Sequence, residues 1–192
     1  WQLSTQGLAT VLAAGVSALL SYVLSDVQLN TWGWRVAFGI GLLIGPVGFY
    51  IRTQIDETPD FKKTVANIAV KTPLRDVLIK GHVSLLLAIG VVAGATAFNY
   101  VHKLYMPIYA LKQLHIAATS SYLGALMTGI TLMIMAPVFG GLSDQYGRFR
   151  VLTIALLITG FSSYPMFVLL NTFPSLSTLL MVQAIVGVLI AA

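Results

Sequence analysis

The sequence predicts an all-α membrane protein, a polytopic helical bundle, and three observations carry that prediction. Of 192 residues, 57% are hydrophobic and only 9% are charged, about a third of the roughly 25% with which a soluble domain covers its surface. The apolar residues gather into runs near the length that crosses a bilayer, about 20 residues at about 1.5 Å of rise each. The 11 Lys and Arg are confined to a few short polar segments, so the net charge of +5 reports membrane orientation and no nucleic-acid partner is expected. Cysteine is absent, which excludes a disulfide framework, a thiolate zinc site and a thiol nucleophile.

The first apolar run covers residues 7–29 and is separated by a polar turn at 28–31 from a second at 34–51. The third covers 83–108, the fourth 120–139 and the fifth 151–170, and a sixth begins near Leu176. The first run is too long for a signal peptide and has no basic segment ahead of it. Because the chain opens at Trp1 and stops inside an apolar run, a piece of a longer protein is expected. The polar stretch 52–80 reads as a linker, dividing the chain into 1–51, 52–80 and 81–192. Its Thr58-Pro59 and Thr72-Pro73 pairs each set a hydroxyl cap before a proline suited to a first helical turn, which predicts short interfacial helices.

Orientation follows from the basic residues. Arg52, Lys62, Lys63, Lys71, Arg75 and Lys80 lie in one loop, and Arg148 and Arg150 in a turn on the same side. Opposite them are Arg35, Lys103 and Lys112. The positive-inside rule then places the N-terminus, the 52–80 loop and the 140–150 turn in the cytoplasm of a cell whose inner membrane the chain spans. Trp32 and Trp34 fall at the outer interface, where an amphipathic ring keeps one wet edge.

The turn between the fourth and fifth runs reads GLSDQYGRFR, residues 141–150. It resembles the loop signature of the major facilitator superfamily, Gly-x-Leu-Ser/Ala-Asp-Arg/Lys-x-Gly-Arg-Arg/Lys. Gly141, Leu142, Ser143, Asp144, Gly147 and Arg148 match, whereas Gln145 and Phe149 stand where that family has basic residues. TWGWR at 31–35, RTQIDETPDF at 52–61 and LYMPIYA at 104–110 narrow the resemblance to the metabolite:proton symporters, carriers of organic acids, shikimate, proline or betaine. The resemblance implies a partial major-facilitator fold, six spans similar to helices five to ten of twelve. The linker would then join two six-helix halves. It also implies a small-molecule substrate and a proton as partners within the bilayer, and no cofactor.

An alternating-access carrier needs a polar cavity at mid-membrane, where buried polar groups are costly. Thr96, Asn99, Tyr100 and Lys103 fall within roughly 100° on a helix that advances about 100° per residue, so one face offers an amide, a phenol and an ammonium. Lining of the substrate path, with Lys103 drawing in a carboxylate, is one reading; a lysine snorkelling to the headgroups beside a belt tyrosine is the other. In the first run Gln6, Thr10, Ser17 and Ser21 share a face. Gln6 is the cavity candidate there, while the serines, with Gly7 and Ala14, suit close helix packing. All six acids lie at run ends or in loops, which locates the proton site outside this segment. His102 could titrate near physiological pH, the alternative being a solvated residue near the outer interface, and the three scattered histidines have no metal-ligand spacing.

Asp144 and Arg148, with Gly141 and Gly147, are candidate gating residues. In the resembled fold the fourth run faces the first, so Asp144 is expected near the free N–H groups at residues 4–7. The resulting expectation is a proton-coupled symporter of a small organic anion. The alternatives are a carrier of a zwitterion such as proline or betaine and, from another class, a non-transporting receptor. An enzyme is not expected, since the sequence has neither a carboxylate-histidine cluster nor a nucleophile elbow.

Overall fold

The computed structural model describes residues 1–54 and 81–192. Among them, five helical stretches are long and apolar enough to cross a membrane: Gln2–Val23, Asp26–Gln54, His82–Lys112, Ala118–Tyr146 and Arg148–Thr172. Leu176–Ala191 is a shorter apolar helix of 16 residues. The predicted linker helices and the Thr58-Pro59 and Thr72-Pro73 caps lie outside the described residues.

Helix α1 is Gln2–Val23 and α2 is Asp26–Gln28. The break between them falls at Leu24 and Ser25, earlier than the turn expected at 28–31. Its cause is a capping box: the Ser25 hydroxyl accepts from the Gln28 amide at 3.4 Å, and the Ser25 amide donates to the Gln28 side chain at 3.1 Å. A π-helical segment, Leu29–Gly33, then leads into α3, Trp34–Leu42. Gly33 packs closely there: a Cβ would meet Leu24 Cδ1 at 2.7 Å, so that side chain would have to move, and the Gln28 carbonyl at 3.3 Å. α4 is Ile44–Gln54. The interruption at Leu43 has a local reason, since the Pro46 ring crowds the carbonyl of Leu42 and supplies no N–H to it.

The long helix that follows comprises α5, His82–Asn99, a π-helical segment, Tyr100–Tyr105, and α6, Met106–Lys112. Pro107 explains the irregularity. Its ring faces the Lys103 carbonyl, and the widened turn, in which the Met106 amide donates to the Val101 carbonyl, relieves that crowding. α7 is Ala118–Tyr146, α8 is Arg148–Thr172 and α9 is Leu176–Ala191. Gly147 alone joins α7 to α8 with φ +94°, a conformation that side chains disfavour. α9 starts on the Ser175 hydroxyl, which accepts from the Thr178 amide at 3.2 Å.

The described residues fall into two compact units, Arg35–Gly94 and a larger one made of Trp1–Trp34 with Ala95–Ala192. In the smaller unit α3 and α4 bury none of their residues, leaving Phe38, Leu42 and Ile44 to an apolar solvent. In the larger unit α7 is the central helix. α1 crosses it antiparallel at backbone contact: a Cβ on Gly7 would lie 2.6 Å from the Met133 nitrogen, and one on Gly129 would lie 2.9 Å from the Val11 nitrogen. α9 approaches the other side as closely, since a Cβ on Gly187 would lie 2.8 Å from the Thr128 carbonyl. In lipid, where no hydrophobic force draws helices together, such small-residue contacts supply the packing. Met106, Ala110, Met166, Leu170, Leu179, Val182 and Val186 form the apolar core that joins α6, α8 and α9.

Candidate functional site

α1 is built from small residues on two faces, and α7 covers one of them. Gly7, Ala14 and Ala18 are buried. The neighbouring face carries Gln6, Thr10 and Ser17 and opens on a cavity of about 540 Å³. Lys103, Leu104, Pro107 and Ile108 form its second wall, and Tyr122 and Ala125 of α7 its third. All of these residues belong to the larger unit. The Thr10 hydroxyl donates to the Gln6 carbonyl at 2.8 Å and the Ser17 hydroxyl to the Ala13 carbonyl at 2.9 Å. Their protons are thereby held by the helix, while their oxygens keep acceptor capacity. Among the described residues that line the cavity, Lys103 is the charged one.

The four residues expected to share a face of the third run are separated. Lys103 is half-buried and lines the cavity with Gln6. Thr96 and Tyr100 are exposed, and the half-buried Asn99 donates its amide back to the Ala95 carbonyl at 3.0 Å. None of these three lines the cavity. The π-helical segment that starts at Tyr100 breaks the 100° progression on which the shared face depended.

His102 is corrected more sharply. It is 2% exposed, not solvated. Its ring stacks on Phe98 with centroids 4.2 Å apart and meets Phe167 of α8 edge-on at 5.5 Å. Nδ1 lies 3.3 Å from the Phe98 carbonyl, which can only accept, so Nδ1 carries the proton and Nε2 is a buried lone pair without a partner among the described residues.

Sequence reasoning also missed a buried polar pair between α7 and α9. The Thr128 hydroxyl is within 3.0 Å of both the side-chain oxygen and the carbonyl of Gln183, and both residues are fully buried. A mid-helix glutamine in an otherwise apolar run is the signal that was available. Tyr109 of α6 donates to Asn171 of α8 at 2.8 Å.

At the α7–α8 turn, Arg148 donates to Asp144 at 3.4 Å, both side chains being well exposed. The antiparallel register sets Gly7 beside Met133, roughly three turns before Asp144 along α7, so Asp144 lies beyond the α1 N-terminus and not beside residues 4–7 as expected. Gly141 lies inside α7 with no neighbour within 4 Å of a Cβ, and Gly147 makes the turn.

The chain is similar to known carriers along nearly its full length. It is 32% identical to a citrate-proton symporter of Klebsiella pneumoniae over 97% of this chain and 43% of the relative. It is 30% identical to a proline/betaine transporter of Escherichia coli over 84% of this chain and 34% of the relative. A glycine betaine/proline/ectoine/pipecolic acid transporter of Dickeya dadantii is also 30% identical, with the same coverage. The chain thus spans less than half the length of these curated relatives. No solved structure matches it. The model of the family described as Major Facilitator Superfamily matches residues 2–192, and the chain belongs to that superfamily.

Proposed function

We propose that this segment is helices five to ten of a twelve-helix secondary transporter that carries a small organic anion together with a proton by alternating access. The observation that supports the reading best is Lys103, a cation on the wall of a cavity that also offers Gln6, Thr10 and Tyr122 and includes no acid among its described lining. An ammonium in such a setting attracts a carboxylate strongly, because partial burial weakens the screening that water would provide. Transport, rather than catalysis, fits relatives named as symporters and transporters. Thr96, Asn99 and Tyr100 remain candidates for the path in a conformation other than this one.

In this reading the carrier resides in the bacterial inner membrane, with the N-terminal end of the segment, the linker at 52–80 and the 140–150 turn on the cytoplasmic side. Asp144 and Arg148 pair across the α7–α8 turn and act with Gly141 and Gly147 in the cytoplasmic gate. A second reading, a zwitterion such as proline or betaine as substrate, is favoured by the names of the Escherichia coli and Dickeya relatives. Uptake by the full-length protein in proteoliposomes separates the two. Under an inward proton gradient labelled citrate is expected to accumulate and unlabelled betaine to leave that uptake unchanged. Accumulation of betaine instead would move the substrate to the second reading, and uptake indifferent to the gradient would end the symporter reading.

A further inference from the structure

His102 and Lys103 are neighbours in one π-helical segment whose side chains point to different places: Lys103 into the cavity, His102 into the protein between Phe98 and Phe167. We propose that His102 Nε2 binds the transported proton, and that anion binding at Lys103 governs that event. The inference rests on the symporter reading above and adds to it the proton site, which the placement of the acids had put in helices outside this segment and for which His102 was the titratable alternative within it.

Four observations converge on His102. An imidazole is the side chain that exchanges its proton near neutral pH. Its Nδ1–H is fixed by the Phe98 carbonyl, so Nε2 presents a lone pair, and no group among the described residues occupies that lone pair. The Phe98 ring lies against the imidazole face, and an imidazolium there would gain from the ring quadrupole. The fourth is the surroundings. From α8 the group facing His102 is Phe167, with Asn171 one turn further on and engaged by Tyr109. From α9 the buried polar side chain is Gln183, whose Oε1 is engaged by Thr128 and whose Nε2 has no partner among the described residues. The ionic residues of α7 and α8, Asp144, Arg148 and Arg150, lie at the helix ends remote from Phe167, about 25 Å along α8. α9 has no ionic residue, and on α6 the ammonium of Lys112 is more than two turns away.

Among the described charged residues, Lys103 is therefore the one next to His102 in the chain, and in this proposal its ammonium is the charge that acts on the imidazole. With the cavity empty, the ammonium opposes a second positive charge beside it. A carboxylate bound to Lys103 cancels that opposition, and Nε2, sealed from solvent in this conformation, takes a proton from hydronium when rearrangement of the carrier admits water, giving an imidazolium. Loss of the anion restores the repulsion and returns the proton. Because linkage is reciprocal, proton and anion each promote the binding of the other, which is the thermodynamic requirement of symport.

The test uses the full-length protein in proteoliposomes with the membrane potential clamped. One probe is labelled citrate, and the other is betaine, whose charge is constant around neutral pH. With one proton per substrate, an inward gradient of about one pH unit supports about tenfold accumulation. His102→Gln is expected to abolish accumulation while retaining exchange of labelled for unlabelled substrate, which also shows that the variant is folded. Accumulation equal to that of the parent would overturn the inference while leaving the symporter reading intact. If His102→Gln proves inert, Phe98→Leu decides. Loss of the stacked ring is expected to move the midpoint of the pH profile of uptake to lower pH, and an unmoved midpoint overturns the proposal. A parent protein indifferent to the gradient overturns both readings.

Discussion

The two faces of α1 both rely on small residues, one apolar and one polar, and differ greatly in fate. One carries Gly7 and Ala18 and is buried, with Gly7 against the α7 backbone; the other, carrying Gln6, Thr10 and Ser17, is left open as a cavity wall, with Ala14 at the border lining it too. Small side chains serve both, in one case by admitting another backbone and in the other by leaving room for a ligand. What separates them is the partner helix. Gly129 lets α7 come close on the first face, whereas Lys103, Pro107 and Tyr122 stand back from the second.

The contrast is broken most severely from the sealed side. Gly7→Leu sets new atoms where a Cβ already lies 2.6 Å from backbone nitrogen, so the loss is expected to exceed the roughly 1–3 kcal/mol of ordinary overpacking. Size-exclusion chromatography of the detergent-solubilised protein is expected to lose its monodisperse peak. Thr128→Val, on the opposite flank of α7, removes a buried interhelical hydrogen bond. It should cost about 0.6 to 1.7 kcal/mol, read as a small fall in melting temperature. On the open face, Gln6→Ala is expected to leave stability unchanged and to raise the apparent KM for a carboxylate about fivefold, the effect of one lost hydrogen bond. The smallest change is expected from Ser21→Ala. The Ser21 hydroxyl is buried without a partner among the described residues, so its removal should raise stability slightly, by up to about 1 kcal/mol.

The spans and the superfamily were legible because each rests on many residues or on a contiguous motif: apolar run length, and GLSDQYGRFR at 141–150. The division of α1 was not legible. Helical angle alone groups Gln6, Thr10, Ser17 and Ser21, and only the packed partner shows that Ser17 lines the cavity while the Ser21 hydroxyl is buried. The shared face of Thr96, Asn99, Tyr100 and Lys103 failed for a different reason. It assumed a regular helix, and Pro107 acts four residues upstream, at the Lys103 carbonyl, to widen the turn. That same widened turn holds His102 and Lys103 on different sides. A long-range pair such as Thr128 with Gln183, 55 residues apart, leaves only the oddity of a glutamine in an apolar run to mark it.

The central claim is that Lys103 receives the carboxylate of the substrate. Its most direct test is the apparent affinity of the full-length protein for citrate, measured by exchange in proteoliposomes with and without Lys103→Met, a substitution that keeps the apolar stem and removes the charge. Loss of a charge-assisted contact of about 1.5 to 3 kcal/mol predicts an affinity weaker by about tenfold or more, with the folded protein retained. An affinity equal to that of the parent would contradict the account.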